Sequence, residues 1–298
     1  MKKLIYLLLA MPLLFTSCSN DEEMASEETV QVSFSTELPK RIGTRANATD
    51  LNVNKVVCAV FENGQEISAL RKDIEIQDDG AIVFAPRLIK GRTYDVVFWA
   101  YKDGSYSVNK LEEITRIADK PEADYDAFTH SEKITVSSSD SKTITLTRPL
   151  AQLNIGVTED DWNTVVDKFG MTPNTMIITL NGKSTFNALT GEAVDNDGTI
   201  TYTLNCSGND LIVNSTTYRS IASCYVLPDA QKENFDITYT IKDQNSSLIR
   251  SDATISSIPL HANYKTNVVG GLLTGVITYN ISINQAFDED EEHNKTIE

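Results

Sequence analysis

The sequence predicts an all-β protein built as two β-sandwiches in tandem. Three observations carry this reading. Short runs alternate apolar and polar residues with period two, the pattern of strands buried on one face. Turn signals such as Asn63-Gly64, Lys102-Asp103-Gly104 and Asn181-Gly182 separate those runs. No long stretch has helical periodicity, and no strand–helix–strand rhythm of a parallel sheet is present. About seven short strands fall in each half at roughly 8–15-residue spacing, the rhythm of a sandwich. The halves meet at Thr143–Val157, TITLTRPLAQLNIGV, where two alternating runs join at Arg148-Pro149. Proline cannot donate to a central ladder, so Pro149 marks the passage from the last strand of one domain to the first of the next.

Taken in order, the chain begins with a targeting segment. Lys2-Lys3 is a basic start, and Leu4–Phe15 is apolar but too short to span a bilayer comfortably. Thr16-Ser17 then precede Cys18. This order resembles a bacterial lipoprotein signal, cut before a cysteine that carries acyl chains such as palmitate. Phe15 departs from the usual leucine at its position. The lipid on Cys18 would anchor the protein to the outer membrane. Residues 18–28 are polar and acidic and read as a flexible tether. An acidic run at this place resembles the surface-export signal of lipoproteins in the Bacteroides group.

The first strand is Thr29–Leu38, in which Val30, Val32 and Phe34 alternate with Gln31, Ser33 and Ser35. A basic, turn-rich loop follows, containing Arg41 and Arg45, and exposed loop tips are where proteases cut. Strands are then expected at Val53–Phe61, Ile74–Ile76, Ala81–Phe84 and Thr93–Tyr101, with Trp99 read as core. Leu111–Lys120 reads as a short helix and Asp124–His130 as a loop. Glu132–Val136 and Thr143–Thr147 close the first half. The second half starts at Ala151, has a helical turn at Asp160–Phe169, and continues through strands at Thr175–Leu180, Thr185–Leu189, Thr199–Leu204, Ser220–Leu227, Phe235–Lys242 and Ala253–Ile258. Val276–Ile283 is the last strand, with Val276, Ile277, Tyr279, Ile281 and Ile283 as its apolar positions. The expected divisions are a signal peptide at 1–17, the tether at 18–28, sandwiches at 29–148 and 149–286, and an acidic tail at 287–298.

The bulk chemistry narrows the function. Composition is ordinary for a folded protein, at 41% hydrophobic and 23% charged residues. Asp and Glu number 42 against 26 Lys and Arg, a net charge of −16. Nucleic-acid binding needs clustered cations, so nucleic acid is excluded as a partner. Besides Cys18 there are Cys58, Cys206 and Cys224, an odd number; a Cys206–Cys224 bridge suits an oxidising compartment, and nothing in the sequence demands it. Enzyme motifs are missing. His130, His261 and His293 do not form a zinc-protease spacing, and no nucleophile elbow exists. Gly182-Lys183-Ser184 lacks the upstream glycine of a phosphate loop, where Ile177 stands, and reads as a hairpin turn. Pairing of Cys58 or Cys224 with His261 as nucleophile and base has no motif behind it. The run Asp288–Glu292 lacks the spaced ligands and turn glycine of a calcium loop and reads as a solvated tail. The reading is a non-enzyme without cofactor or metal.

Three landmarks carry a resemblance. They are Arg148-Pro149-Leu150-Ala151-Gln152-Leu153-Asn154, Tyr225-Val226-Leu227-Pro228, and the segment Ile258–Val268 followed by Gly271-Leu272-Leu273-Thr274. Val97-Phe98-Trp99-Ala100 fits the same group. In order and spacing they resemble fimbrillin-like lipoproteins of the Bacteroidales, and most closely a branch designated DUF6562. The resemblance covers nearly the whole mature chain. It implies two transthyretin-like β-sandwiches and a role in type V pili or related surface adhesins. It further implies that an arginine-specific protease removes the first strand and that a neighbour's extended segment fills the groove. Carried over residue by residue, cleavage falls at Arg45, or secondarily Arg41; the removed strand contains Val30, Val32 and Phe34; the donor is Val276–Ile283. Partners would be other pilin subunits or surface proteins. The acidic run after the donor strand departs from this scheme. It leaves open an uncleaved accessory, anchor or tip protein, and, as an alternative class, a monomeric surface lipoprotein that binds a glycan or host protein. That alternative requires exposed aromatic residues, for which Tyr106, Tyr125 and Tyr218 are the candidates.

Overall fold

The computed structural model describes residues 27–38, 52–77, 81–194, 198–228 and 233–285. The first half contains β1 (Thr29–Glu37), β2 (Lys55–Glu62), β3 (Gln65–Glu66), β4 (Lys72–Glu75), β5 (Ala81–Phe84), β6 (Arg87–Ile89), β7 (Thr93–Tyr101), β8 (Tyr106–Ser107), β9 (Ile114–Arg116), β10 (Ala127–Thr135) and β11 (Asp140–Thr143). The second contains β12 (Ala151–Val157), a short helix α1 (Glu159–Asn163), β13 (Pro173–Asn181), β14 (Thr185–Asn187), β15 (Glu192–Val194), β16 (Thr199–Asn205), β17 (Asp210–Val213), β18 (Thr216–Val226), β19 (Glu233–Asp243), β20 (Leu248–Leu260), β21 (Tyr264–Gly271) and β22 (Thr278–Gln285). The protein is all-β, and its strands form two sandwiches.

In the first sandwich, β1 lies between β11 and the pair β5 and β6, while β10, β7, β2 and β3 form the facing sheet with β4 on β2. Val32, Phe34, Ile82, Phe84 and Leu88 from one sheet pack on Val56, Cys58, Val60, Val96 and Phe98 from the other. The second sandwich sets β17-β18-β12-β21-β22 against β16-β13-β19-β20. Its core joins Leu153, Ile155, Ile221 and Val268 to Met176, Ile178, Ile237, Tyr239 and Ile255. The two units share a plan. The first strand of each is central, with a late strand parallel on one side (β1 with β11, β12 with β21) and antiparallel strands on the other.

Local chemistry explains the elements. Asn63 and Gly64 both have positive φ, at 52° and 78°, as a two-residue hairpin turn between β2 and β3 requires. Pro86 separates β5 from β6 and lacks a donor, yet its carbonyl still accepts the Val32 amide at 3.1 Å. Thr158 caps α1 by accepting the Asp161 amide on its hydroxyl, and acidic residues fill the first turn.

A fifth sheet, β15-β14-β9-β8, draws strands from both halves. Thr185 and Phe186 of β14 pair with Thr115 and Ile114 of β9. This sheet covers the outer face of β2 and β7. Val57, Ala59, Phe61, Val97, Trp99 and Tyr101 point to it and pack with Ile114, Leu150, Phe186, Tyr225 and Leu227. The central strands of the first sandwich are therefore buried on both faces, which is why they are apolar throughout rather than alternating.

Several expectations are corrected. Leu111–Lys120 is not a helix; it holds β9, whose Ile114 is needed by the bridging sheet. The expected loop Asp124–His130 is largely strand, since β10 starts at Ala127 and pairs with β7 from Tyr101 onward. The strand expected at Thr143–Thr147 ends at Thr143; beyond it Thr147 makes one bridge to Thr129. Asn181–Ser184 is not a hairpin turn, because β13 pairs with β16 and β19 while β14 leaves for the bridging sheet. Tyr106 and Tyr125, expected on the surface, are buried at 6% and 5% exposure. Cys206 and Cys224 are unbridged.

Candidate functional site: the first and last strands

The first strand is a central core element. Val32 and Phe34 are buried at 2% and 1% exposure, and Val30 packs partly buried at the edge of the same core. Phe34 stacks near Phe84 at 6.4 Å and meets Phe98 at 5.7 Å between ring centroids. Both edges of β1 are paired: Val32–Ser35 run parallel to Asp140–Thr143, Phe34–Glu37 run antiparallel to Ala81–Phe84, and Thr29–Gln31 to Arg87–Ile89. Ahead of it, Glu28 holds Lys90 at 3.0 Å and Glu27 holds Arg92. Without β1 the sheet would have a slot one strand wide, bordered by β11 on one side and β5 and β6 on the other. Phe98 of the facing sheet would lie beneath it, and Phe84 on β5 would line its border. Such a slot accepts an extended segment through backbone hydrogen bonds and alternate side chains.

The last strand is an edge. β22 pairs antiparallel with β21, from Tyr264↔Gln285 to Gly271↔Thr278. Ile277, Tyr279 and Ile281 pack partly buried against the second core, and Ile283 is also partly buried. Val276 lies outside β22, in the preceding turn, and is 86% exposed. The apolar face of β22 is thus alternating, as the sequence predicts, and incompletely covered. Its other face meets a polar row. Ser223 donates to Asn154, Asn154 donates to Asn267, both at 2.9 Å, and Ser282 sits beside Asn267 with its buried hydroxyl unpartnered. Gly270 lets the two strands approach closely, since a Cβ there would lie 2.0 Å from the Thr278 carbonyl oxygen.

The turn before β22 is clamped to the body of the sandwich. The buried Asp161 carboxylate accepts the amides of Leu273 at 2.7 Å and Thr274 at 3.0 Å, and the Thr274 hydroxyl at 2.6 Å. Tyr239 donates to the Leu272 carbonyl at 2.8 Å, and Arg250 donates to the carbonyls of Leu272 and Gly275. Burial pushes the Tyr239 phenol up to about 12. Residues 272–275 are fixed, so any swing of β22 would pivot at Val276-Ile277.

At the seam, Arg148 and Asp126 form a buried pair, each 7% exposed, with Arg148 Nη2 2.7 Å from Asp126 Oδ2. The guanidinium also lies 4.5 Å over the Phe128 ring. Thr147 and Thr129 exchange backbone bonds, and Leu150 accepts the Asn263 amide at 2.9 Å.

Other predicted positions carry no assembled chemistry. Cys58 and Cys224 lie in the cores of different sandwiches, and burial raises both thiols far above the usual range. The ring of His261 bonds its own neighbour, the Ala262 carbonyl. No cluster of His, Cys, Asp or Glu among the described residues is arranged to hold a metal. Cys18, Arg41, Arg45, His293 and the tail Asp288–Glu292 lie outside the described residues, as do the signal peptide and most of the tether. Sequence reasoning missed the clamp residues Asp161, Tyr239 and Arg250. An acidic residue three positions after the Thr158 cap was the available signal for Asp161, and it reads equally well as a helix-end charge.

Solved structures share this fold. Candidate polysaccharide-binding proteins from Bacteroides thetaiotaomicron VPI-5482 match at 13% identity and a TM-score of 0.53, over 89% of this chain and 100% of that one. A candidate adhesin from the same organism matches at 12% identity and 0.52, over 87% and 97%. A candidate adhesin from Bacteroides ovatus matches at 11% identity and 0.50, over 91% and 95%. No curated protein matches the chain. The sequence profile of DUF6562, described as a family of unknown function, matches residues 23–298, and the chain belongs to that family.

Proposed function

We propose that the chain is a cell-surface adhesion or fimbrial subunit that assembles by β-strand exchange. One observation carries the reading: β1 is a central strand with both edges paired and Val32 and Phe34 in the core. A cut beyond it, at Arg45 or Arg41, would turn a closed sandwich into an acceptor. The donor is β22, an edge strand whose Tyr279, Ile281 and Ile283 alternate on a partly covered face and gain burial in a slot. An open slot is a sheet edge that invites pairing, so removal of β1 drives assembly. Proteins of this fold named as candidate adhesins support the reading at the level of fold. In this scheme the chain travels as a lipoprotein anchored to the outer membrane through Cys18. Sandwiches at 29–148 and 149–286 are held in line by the Arg148–Asn154 link, and other subunits are the partners.

Purified chain treated with an arginine-specific protease is expected to yield one cut, leaving Ala46 at the N-terminus, and then oligomers. Cleavage at Arg45 with the product still monomeric at high concentration would refute strand exchange. On cells, Cys18 as the first residue of the surface protein marks the intact lipoprotein, and Ala46 marks the processed subunit.

A further inference from the structure

The last strand is poorly seated on its own sandwich. β22 lies at the sheet edge and pairs with β21 on one side. On its inner face Tyr279 and Ile281 pack only partly buried against the core. On its outer face Ser282 and Asn284 lie two residues apart. The Ser282 hydroxyl and the Asn284 side-chain oxygen are both buried and have no hydrogen-bond partner, and Ser282 is 4% exposed. Four buried side-chain polar atoms are unpartnered among the described residues, and two of them fall on this eight-residue strand. Buried polar groups are nearly always hydrogen-bonded, because desolvation without a partner is unfavourable, so the pair singles β22 out.

The neighbouring polar groups are committed elsewhere. Ser282 stands opposite Asn267, and Asn284 opposite Lys265. The Asn267 side-chain oxygen accepts from Asn154, and the Asn154 oxygen accepts from Ser223, both at 2.9 Å. Gln152 donates to Ser223 at 3.2 Å. This row of bonds runs through β21, β12 and β18 and stops short of β22. Support is thin at the start of the strand as well. Thr278 and Tyr279 stand opposite Gly271 and Gly270, which offer no side chain for a cross-strand contact. The edge is otherwise open: β22 is uncharged and pairs without a register shift. The edge strand β20, by contrast, has three register shifts against β19 and positive φ at Asp252 and Ser257. Irregularities of that kind protect an edge from foreign pairing.

The slot left by β1 would treat the same residues differently. In the intact first sandwich the inward Val32 and Phe34 are 2% and 1% exposed, while the outward Gln31, Ser33 and Ser35 are exposed or half-buried. β22 placed there, apolar face inward, would bury Tyr279, Ile281 and Ile283 and return Ser282 and Asn284 to water.

We propose that Ser282 and Asn284 form a release device: they weaken the seating of β22 on its own sandwich and bias it toward the slot of a second copy. The bias toward a second copy rests on the strand-exchange reading, and the weak seating does not.

The test is hydrogen exchange on the uncleaved chain, read by mass spectrometry on peptides covering 278–285. Ser282→Ala removes the orphaned hydroxyl and Asn284→Leu the orphaned amide, each with little change of shape. Each is expected to slow exchange of those amides at least about fivefold, and the double variant more, with β13 and β19 unchanged. Asn280→Ala, exposed on the same face, is the control and is expected to change exchange by less than about twofold. Unchanged or faster exchange in the double variant overturns the proposal, since both groups would then be satisfied in place. Equal slowing in Asn280→Ala also overturns it, because strand preference alone would account for the effect. After cleavage by an arginine-specific protease, the double variant is expected to assemble at least about fivefold more slowly than wild type. Assembly at the wild-type rate despite slower exchange sinks the release device. Slower exchange in a chain that never assembles after the cut supports the weak seating and refutes strand exchange.

Discussion

Arg148 donates to Asp126 inside the seam, with both side chains 7% exposed and the guanidinium lying over the Phe128 ring. The pair ties the last residues of the first sandwich to the strand entry at Ala127. Removing one member leaves a buried charge without its partner, which typically costs about 3–5 kcal/mol, whereas replacing both with apolar residues is often neutral. Asp126→Ala is therefore expected to lower unfolding free energy by about that amount, and Asp126→Leu with Arg148→Met to recover most of it. Urea unfolding of the three proteins measures this. Additive losses would argue against coupling between the two.

Phe34 tests whether β1 is a core element. Truncating a buried phenylalanine costs about 3–5 kcal/mol, because transfer and cavity terms add. Phe34→Ala should lose about that much stability by thermal or chemical unfolding, while Gln31→Ala, on the exposed face of the same strand, should change it by less than about 0.5 kcal/mol.

The clamp on the final turn predicts a local effect. Asp161→Ala leaves the Leu273 and Thr274 amides without their acceptor, at about 1–3 kcal/mol for an orphaned buried group. Hydrogen exchange at residues 278–285 should accelerate more than exchange in β13 or β19. Equal acceleration everywhere would mean that the clamp supports the whole sandwich rather than the last strand.

Gly270 governs how tightly β22 is held. A methyl group there would meet the Thr278 carbonyl oxygen at 2.0 Å, so Gly270→Ala must push the strands apart. Overpacking of this kind costs about 1–3 kcal/mol. Limited proteolysis near Val276-Ile277 should become faster in this variant. Under the strand-exchange proposal, protease-treated Gly270→Ala should also assemble faster than wild type.

The alkaline limb of stability follows from Tyr239. Its phenol is raised from 10.0 to about 12 by burial. Between those values the unfolded chain releases the proton and the native protein keeps it, so the native state binds more protons. The stabilisation is complete below pH 10 and is lost as pH rises toward 12. The buried thiols of Cys58 and Cys224 shift in the same direction. Urea midpoints should fall between pH 9 and pH 11.5, and Tyr239→Phe should flatten part of that fall.

The strand pattern was readable wherever one face of a strand meets a core and the other meets water. In β13, β16 and β19 the alternation matches the burial, with Met176, Ile178, Leu204 and Ile237 on the inner face. In β2 and β7 the unbroken apolar runs announced burial on both sides without saying what lay on the second side. At Leu111–Lys120 the residues carry no alternation long enough to mark a three-residue strand, and local preference pointed to a helix. The proposed donor and acceptor strands rest on their pattern and the resemblance, whereas the clamp on residues 272–275 left no such signal.

By itself, the sequence determined the elements: which runs are strands, where turns bend them, and that the surface is acidic. These follow from interactions within a few residues, namely period-two side-chain direction and the φ preferences of Asn, Gly and Pro. Tertiary structure alone decided the rest. It made β1 central rather than an edge, paired β9 with β14 across the two halves, and brought Asp161 to Leu273 over 112 residues. Each depends on which surfaces meet at long range, and backbone pairing is the same for any two strands, so the local pattern does not name the partner.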